Sequence, residues 1–536
     1  MRTPNRRAVL GAGLAIAGTG LLNACSGSMS GMDHSGHDAG SSAAPEGYVT
    51  PDGQEVADGE AKRKPGPQRK VKLTAVETPL DLGGRTVRSW AYGDRLPGQE
   101  VRVTAGDTLA LTLANHLPQT TSIHWHGLAM RNDMDGVPGL TQRGIKPGAS
   151  FDYRFAVTHP GTYWFHPHSG VQQDRGLYAP LIVEDPKEPL QYDKEWVVVL
   201  DDWVDGVDGT TPDTVLAELS KGMGGMDMDD SGGMDHGSGH DMGTMSTTTE
   251  KAPSPKPSGP PRMMMGATST LLGGDAGDVA YPYYLVNGRT SHDPQTFQAK
   301  PGDRIRLRII NAGGDTAFRI ALGGHAMTIT HTDGFPVEHA TTDALLLGMG
   351  ERYDVLVTAK DGVFPLTALA EGKLQNGMAI LRTGAGAAPT PSVRPKELSG
   401  KVLRAGQLKA ADVVRLKAGK PDRTLELKLT GGMAKYDWAI NGKKYDPAQR
   451  HPVRSGERVR LSFVNDTEMW HPMHLHGHTF ALADGGPRKD TAIVLPGKTL
   501  DVDFDADNPG LWMIHCHNVY HAESGMMTVL GYRKQA

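Results

Sequence analysis

Ala105-Gly106-Asp107-Thr108-Leu109-Ala110-Leu111, closing at Asn115, is a turn followed by residues that alternate apolar and polar. Alternation with a period of two marks a strand with one buried face. The stretch recurs as Pro301-Gly302-Asp303-Arg304-Ile305-Arg306-Leu307, closing at Asn311, and as Ser455-Gly456-Glu457-Arg458-Val459-Arg460-Leu461, closing at Asn465. Three copies in 536 residues predict three related β-sandwich domains, in keeping with roughly 150 residues per domain. The 68 glycines and 36 prolines favour short strands and turns over long helices.

The register of the copies carries the chemistry. Nine residues after Asn115 stands His124-Trp125-His126, and nine after Asn465 stands His474-Leu475-His476, whereas the same offset from Asn311 gives Ile320-Ala321-Leu322. Further on, Gly161 leads after five residues to His166-Pro167-His168 and Gly510 to His515-Cys516-His517, but Gly362 leads to Thr367-Ala368-Leu369. The first and third domains thus each present two His-x-His pairs, and the middle one presents none. Alternate residues of a strand share a face, so each pair sets two imidazoles side by side. Eight such histidines can hold three metal ions between the outer domains, with positions left open for a substrate.

Composition narrows the metal. Only Cys25 and Cys516 are present, which excludes a disulfide framework and cysteine-rich zinc or iron–sulfur sites. The 22 histidines and 23 methionines suit a soft or borderline ion. In the third domain His471, Cys516, His521 and Met526 make a His₂Cys set with an axial methionine, the blue-copper arrangement. The first domain has Pro167 where this set has Cys516 and cannot repeat it. A net charge of −5 and a pI near 6.5 give no reason to expect nucleic-acid binding.

These motifs resemble those of the multicopper oxidases: His124-Trp125-His126-Gly127, His166-Pro167-His168, His471-Pro472-Met473-His474-Leu475-His476-Gly477 and His515-Cys516-His517-x₃-His521-x₃-Gly525-Met526. The resemblance extends over residues 69–536 outside one insertion. It implies an all-β chain of three cupredoxin-like Greek-key β-sandwich domains, at 69–190, 191–390 and 400–536. It also implies four copper ions: type 1 on His471, Cys516, His521 and Met526; type 2 on His124 and His474; one type 3 ion on His126, His166 and His517, the other on His168, His476 and His515. The implied reaction couples one-electron oxidations of a reductant to four-electron reduction of O₂ to water, with Cys516 carrying electrons between the sites. Asp135, in Met134-Asp135-Gly136, matches a family carboxylate that relays protons near type 2 copper, although an aspartate before glycine also suits a plain turn. Bacterial relatives place a proton-donating glutamate directly after the second type 1 histidine. Here that position is Ala522, and Glu523 follows one residue later, which along a strand would face the other way. Arg143 stands where fungal laccases carry a disulfide cysteine.

Residues 1–25 read as an export leader: Arg6-Arg7, an apolar run from Ala8 to Leu22, then Leu22-Asn23-Ala24-Cys25. The arginine pair points to twin-arginine export. The final four residues resemble a lipobox that would make Cys25 a membrane anchor, the alternative being simple cleavage near Ala24. Residues 26–68 read as a flexible tether. Residues 222–265, with Met223, Met226, Met228, Met234, His236, His240, Met242, Met245 and Met263-Met264-Met265, read as an insertion in the second domain that lacks a core. Thioethers favour Cu(I), so the tract is a candidate capture arm, or else a plain low-complexity linker. The shorter stretch Met29, Met32, His34, His37 has the same composition.

Bacterial cuprous oxidases carry Met two residues before the first type 1 histidine and Asp four before it. Met469 matches the first, Thr467 breaks the second, and Glu468 or Asp466 remain as candidate oxygen ligands. The expected activity is oxidation of Cu(I) to Cu(II) in copper tolerance. The rivals are a laccase-like phenol, ferrous or manganous oxidase and, outside enzymes, a copper-sequestering lipoprotein. The expected partners are O₂, Cu(I) or small aromatic reductants, and a membrane through Cys25.

Overall fold

Each repeat forms a strand of eight residues where the alternation places it: Thr108–Asn115, Arg304–Asn311 and Arg458–Asn465. Each pairs in parallel with the strand that opens its domain, Gln68–Asp81, Lys194–Trp203 or Arg423–Thr430. On the other side each pairs antiparallel with Ser150–Ala156, Arg352–Thr358 or Thr499–Asp505. This computed structural model describes residues 45–223 and 259–534. In it three such sheets lie at the centre of three sandwiches, each completed by a second sheet. The all-β, three-sandwich expectation holds.

The asparagine that closes each repeat does the same work three times. Asn115 Nδ2 donates to the carbonyls of Gln119 and Ile145, and its Oδ1 accepts from Leu117 N. Asn311 does this with Thr316, Leu347 and Gly313, and Asn465 with Met469, Val494 and Thr467. All three are buried. A side chain that satisfies two backbone groups in the following turn and a third on a distant segment fixes how the chain crosses to the second sheet. That crossing sets the register of the second sheets: His124 opposes His166, His474 opposes His515, and in the middle sandwich Ile320 opposes Ala368. Apolar contacts fill the middle sandwich where the outer ones hold imidazoles.

Of the tether expected over 26–68, residues 45–68 belong to the fold. Tyr48 bridges to Arg533, and Val49 N donates to Tyr532 O. Helix α1, Gln54–Lys62, buries Val56 in the core, and Glu60 accepts from Ala156 N at 2.6 Å. Arg63 donates to Asn508 at 2.7 Å. The segment therefore straps the first sandwich to the third. The insertion is also shorter than expected. Residues 259–265 belong to the fold, with Met263 bridged to Val279 and Met264 N donating to Asp278 O at 2.7 Å. The leader, Cys25, the Met29–His37 stretch and residues 224–258 lie outside the described residues. No helix among the described residues is long and apolar enough to cross a membrane.

Candidate metal centres

The eight His-x-His residues meet between the first and third sandwiches. Ligand atoms of His126, His166 and His517 lie within 4.8 Å of one another, as do those of His168, His476 and His515, and those of His124, His474 and His476. The rings of His124 and His476 stack at 3.7 Å, and those of His126 and His474 at 3.8 Å. Each of these stacks joins one outer sandwich to the other.

Outer partners choose which nitrogen faces inward. His124 Nδ1 donates to Asp135 O and Oδ1 at 3.0 and 3.1 Å, and His476 Nδ1 donates to Asp135 Oδ2 at 2.9 Å. His166 and His515 donate from Nδ1 to the carbonyls of Pro167 and Cys516, and His474 to that of Asp490 at 2.9 Å. These acceptors carry no proton, so Nδ1 holds it and the Nε2 lone pair points into the cluster. Bare Nε2 atoms approach to 3.4 Å between His124 and His474, and to 3.1 Å between His476 and His515. His166 Nε2 and both ring nitrogens of His517 are buried without a partner. Burial first, and then the neighbouring rings, hold His166, His168, His476, His515 and His517 well below the usual histidine range. Converging neutral lone pairs with orphaned nitrogens are the donor set a metal cluster requires.

Asp135 reaches two of these rings because its turn is pinned across the interface. Asn132 Nδ2 donates to Leu511 O at 2.6 Å, and Leu511 N donates back to Asn132 Oδ1 at 2.8 Å. Gly136, at φ +84°, packs so tightly on the carbonyl of Ile123 that no side chain fits there.

The second centre lies in the third sandwich. His471 Nδ1 and His521 Nδ1 are 3.1 Å apart, and Cys516 Sγ lies 3.6 and 3.7 Å from them. Here Nε2 points outward instead: His471 Nε2 donates to Thr467 Oγ1 at 2.8 Å, and His521 Nε2 to Asp278 Oδ2 at 2.9 Å. Burial pushes the Cys516 thiol far up, so a thiolate here needs a bound cation. Met526 is buried beside them, its carbonyl accepting from Cys516 N. Cys516 joins this centre covalently to His515 and His517 of the cluster.

Several sequence expectations are relocated by the structure. Glu468 and Asp466 are exposed and point away, while Thr467 and Met469 turn inward. The turn after Asn465 decides this, Thr467 N donating to Asn465 Oδ1, and Thr467 fills with a hydroxyl the place expected of an acid. The carboxylate arrives from the middle sandwich as Asp278, which no spacing in the sequence marked. Its Oδ2 also accepts from Tyr436 OH at 3.0 Å, and its Oδ1 is buried without a partner. Glu523 lies on helix α2, Val519–Ser524, and not on a strand. A shift of one residue on a helix turns a side chain by about 100° rather than 180°. Glu523 accordingly lines a cavity of about 20 Å³ together with His166, His168, His515, His517 and Gln173. Burial, and then the Asp213 carboxylate, push Glu523 up to about 7.

The chain matches the multicopper oxidase family at residues 74–188, 242–386 and 419–536. It is 49% identical over 475 residues to multicopper oxidase MmcO of Mycobacterium tuberculosis, covering 88% of each chain. It is 30% identical to copper resistance protein A of Escherichia coli, covering 85% of this chain and 91% of that one. Among solved structures it is similar to a multi-copper oxidase from Pseudomonas thermotolerans, with 26% identity, a TM-score of 0.63 and coverage of 87% and 99%. The laccase from Botrytis aclada, at 24% identity, shares the cupredoxin-like fold with a TM-score of 0.69 and 88% coverage of both chains. The chain belongs to the multicopper oxidases and is a copper-dependent oxidoreductase of that family.

Proposed function

We propose that this oxidase takes Cu(I) as its reductant: four Cu⁺, one O₂ and four protons become four Cu²⁺ and two waters. Type 1 copper would be held by His471, Cys516, His521 and Met526. Type 2 copper would be held by His124 and His474, one type 3 ion by His126, His166 and His517, and the other by His168, His476 and His515. Bound copper supplies one-electron steps, which zinc cannot. The chain's own residues do the rest. Asp135 and the backbone acceptors hold the imidazoles, Cys516 links the two centres, and Glu523 is the carboxyl placed to bring protons to the cluster cavity.

The observation that carries the choice of reductant is the way His521 is covered. Its outer nitrogen meets the buried Asp278 carboxylate, and the backbone of Met263 and Met264 runs antiparallel to that of Asp278 and Val279. Tyr436 and Trp438 close over the rings of His471 and His521, and all four residues are buried. An aromatic reductant has no edge of either histidine to touch. A small soft cation can be passed from thioether to carboxylate. Both ends of the Met-rich segment come to this place: Gly222 packs on the backbone of Ala434, two residues before Tyr436, and Glu218 accepts from Arg262 N and Met263 N.

The relatives named for copper resistance support the same reading. The test compares kcat/KM for Cu(I), Fe(II) and a phenol in the native enzyme and in a variant with Met263, Met264 and Met265 changed to leucine. A selective loss with Cu(I) is expected, and equal kinetics with Cu(I) would sink the proposal. We also propose export with lipidation at Cys25. Cys25→Ser should release the protein from membranes and abolish labelling by a radioactive fatty acid.

A further inference from the structure

Among the described residues the middle sandwich gives no histidine to the cluster, yet one of its side chains reaches it. Arg352, fully buried at the start of the strand Arg352–Thr358, forks onto Asp490 of the third sandwich, Nη1 to Oδ1 at 2.7 Å and Nη2 to Oδ2 at 2.6 Å. Its Nε donates to Thr162 O at 3.1 Å, in the first sandwich. The pair is itself fixed by Asp333, which accepts from Arg352 N and Asp490 N at 2.9 and 3.1 Å. One guanidinium therefore touches all three sandwiches.

Asp490 meets two cluster histidines. Its Oδ1 lies 3.2 Å from His126 Nδ1, and its carbonyl accepts from His474 Nδ1. Thr491 Oγ1 donates to Asp490 Oδ1 at 2.9 Å and lies 3.2 Å from His474 Nδ1. Arg352 Nη1 is also 3.2 Å from His126 Nδ1, but its two hydrogens are spent on Asp490 and on Gly350 O at 3.0 Å. The contact that remains for His126 is to donate from Nδ1 to the carboxylate, leaving Nε2 bare. His126, His474 and Asp490 are close enough to hold an ion by themselves, but the guanidinium already supplies the cation there.

Asp490 thus parallels Asp135: each aspartate meets one histidine of the first sandwich and one of the third, Asp135 through its two carboxylate oxygens and Asp490 through its carboxylate and its backbone carbonyl. Of these two aspartates, only Asp490 is paired with an arginine among the described residues. We propose that the Arg352–Asp490 fork is a positioning clamp through which the middle sandwich fixes the rotation and tautomer of His126 and His474, and so the occupancy and geometry of the copper they hold. This rests on copper binding at the cluster and is independent of which reductant is used. His126 and His474 serve different ions, so one clamp governs both.

The geometry requires a fork, and a point charge cannot replace it. The experiment measures copper per chain, the blue absorption of the Cys516 centre and the type 2 electron paramagnetic resonance signal in Arg352→Lys and Asp490→Asn. Both variants should keep the blue absorption, lose at least one copper per chain and shift the type 2 hyperfine splitting, with kcat down ~10- to 100-fold at unchanged KM for the reductant. Full copper and an unshifted signal in Arg352→Lys would overturn the clamp, since charge alone would then suffice. Should either variant fail to fold, Thr491→Val removes one hydroxyl from the same linkage. A smaller shift of the same signal is expected there, and an unchanged signal overturns the proposal.

Discussion

His521 Nε2 lies 2.9 Å from Asp278 Oδ2, so the outer edge of a cysteine-centre histidine ends on a carboxylate of another sandwich. That bond holds the proton on Nε2 and turns the Nδ1 lone pair toward Cys516. Asp278→Asn keeps the shape but offers less charge to an arriving cation. Its kcat/KM for Cu(I) should fall by ~10-fold or more while the blue absorption persists. Unchanged cuprous kinetics would remove Asp278 from the electron path.

Asn465→Ala leaves the carbonyls of Met469 and Val494 without their donor, a cost of about 1–3 kcal/mol for each unsatisfied group. Asn311→Ala does the same in the middle sandwich. Both variants should melt lower by calorimetry. Only Asn465→Ala should also shift the blue absorption, because Thr467 and Met469 lead directly into His471. A shift in both would mean that the turn does not act locally.

Acid should unfold the metal-free protein early. His159 and His331 are lowered to about 4, burial being the main cause in each, and burial also holds His126, His166, His168, His476, His515 and His517 well below the usual histidine range. The unfolded chain takes up protons near 6.5 and the folded chain does not, so stability is full above 6.5 and is lost as pH falls toward 4. The melting temperature of the copper-free protein should be flat from pH 7 to 8 and drop steeply between 6.5 and 4. Copper loading should hold it up over the upper part of that range. A flat profile down to pH 4 would contradict neutral buried imidazoles.

Glu523→Gln keeps the size of the side chain and removes its exchangeable acid proton. With saturating reductant, O₂ consumption should slow by about 10²-fold, with copper content and blue absorption unchanged. A rate equal to that of the native enzyme would show that protons enter by another route.

Much of this protein is legible in order along the chain. The repeats fix three strands, the offsets from Asn115 and Asn465 fix the imidazole pairs, and Cys516 lies between two of them. These are local properties, because strand period and side-chain spacing follow from neighbours in sequence. The ordered strap was missed because Val56 and Glu60 are held by distant partners, and Glu523 was misplaced because six residues of helix leave no periodicity to read.

What the tertiary structure alone decided is which groups stand behind the ligands. Asp278 and His521 are 243 residues apart, Arg352 and Asp490 138, and Asp135 and His476 341. A hydrogen bond to an imidazole is directional and spans about 3 Å, so it exists only once two sandwiches have docked in one register. Local sequence therefore named the atoms that can bind metal. Docking of the three domains determined how those atoms are turned, which nitrogen is bare, and how the middle sandwich, without a single cluster histidine, comes to hold two of them.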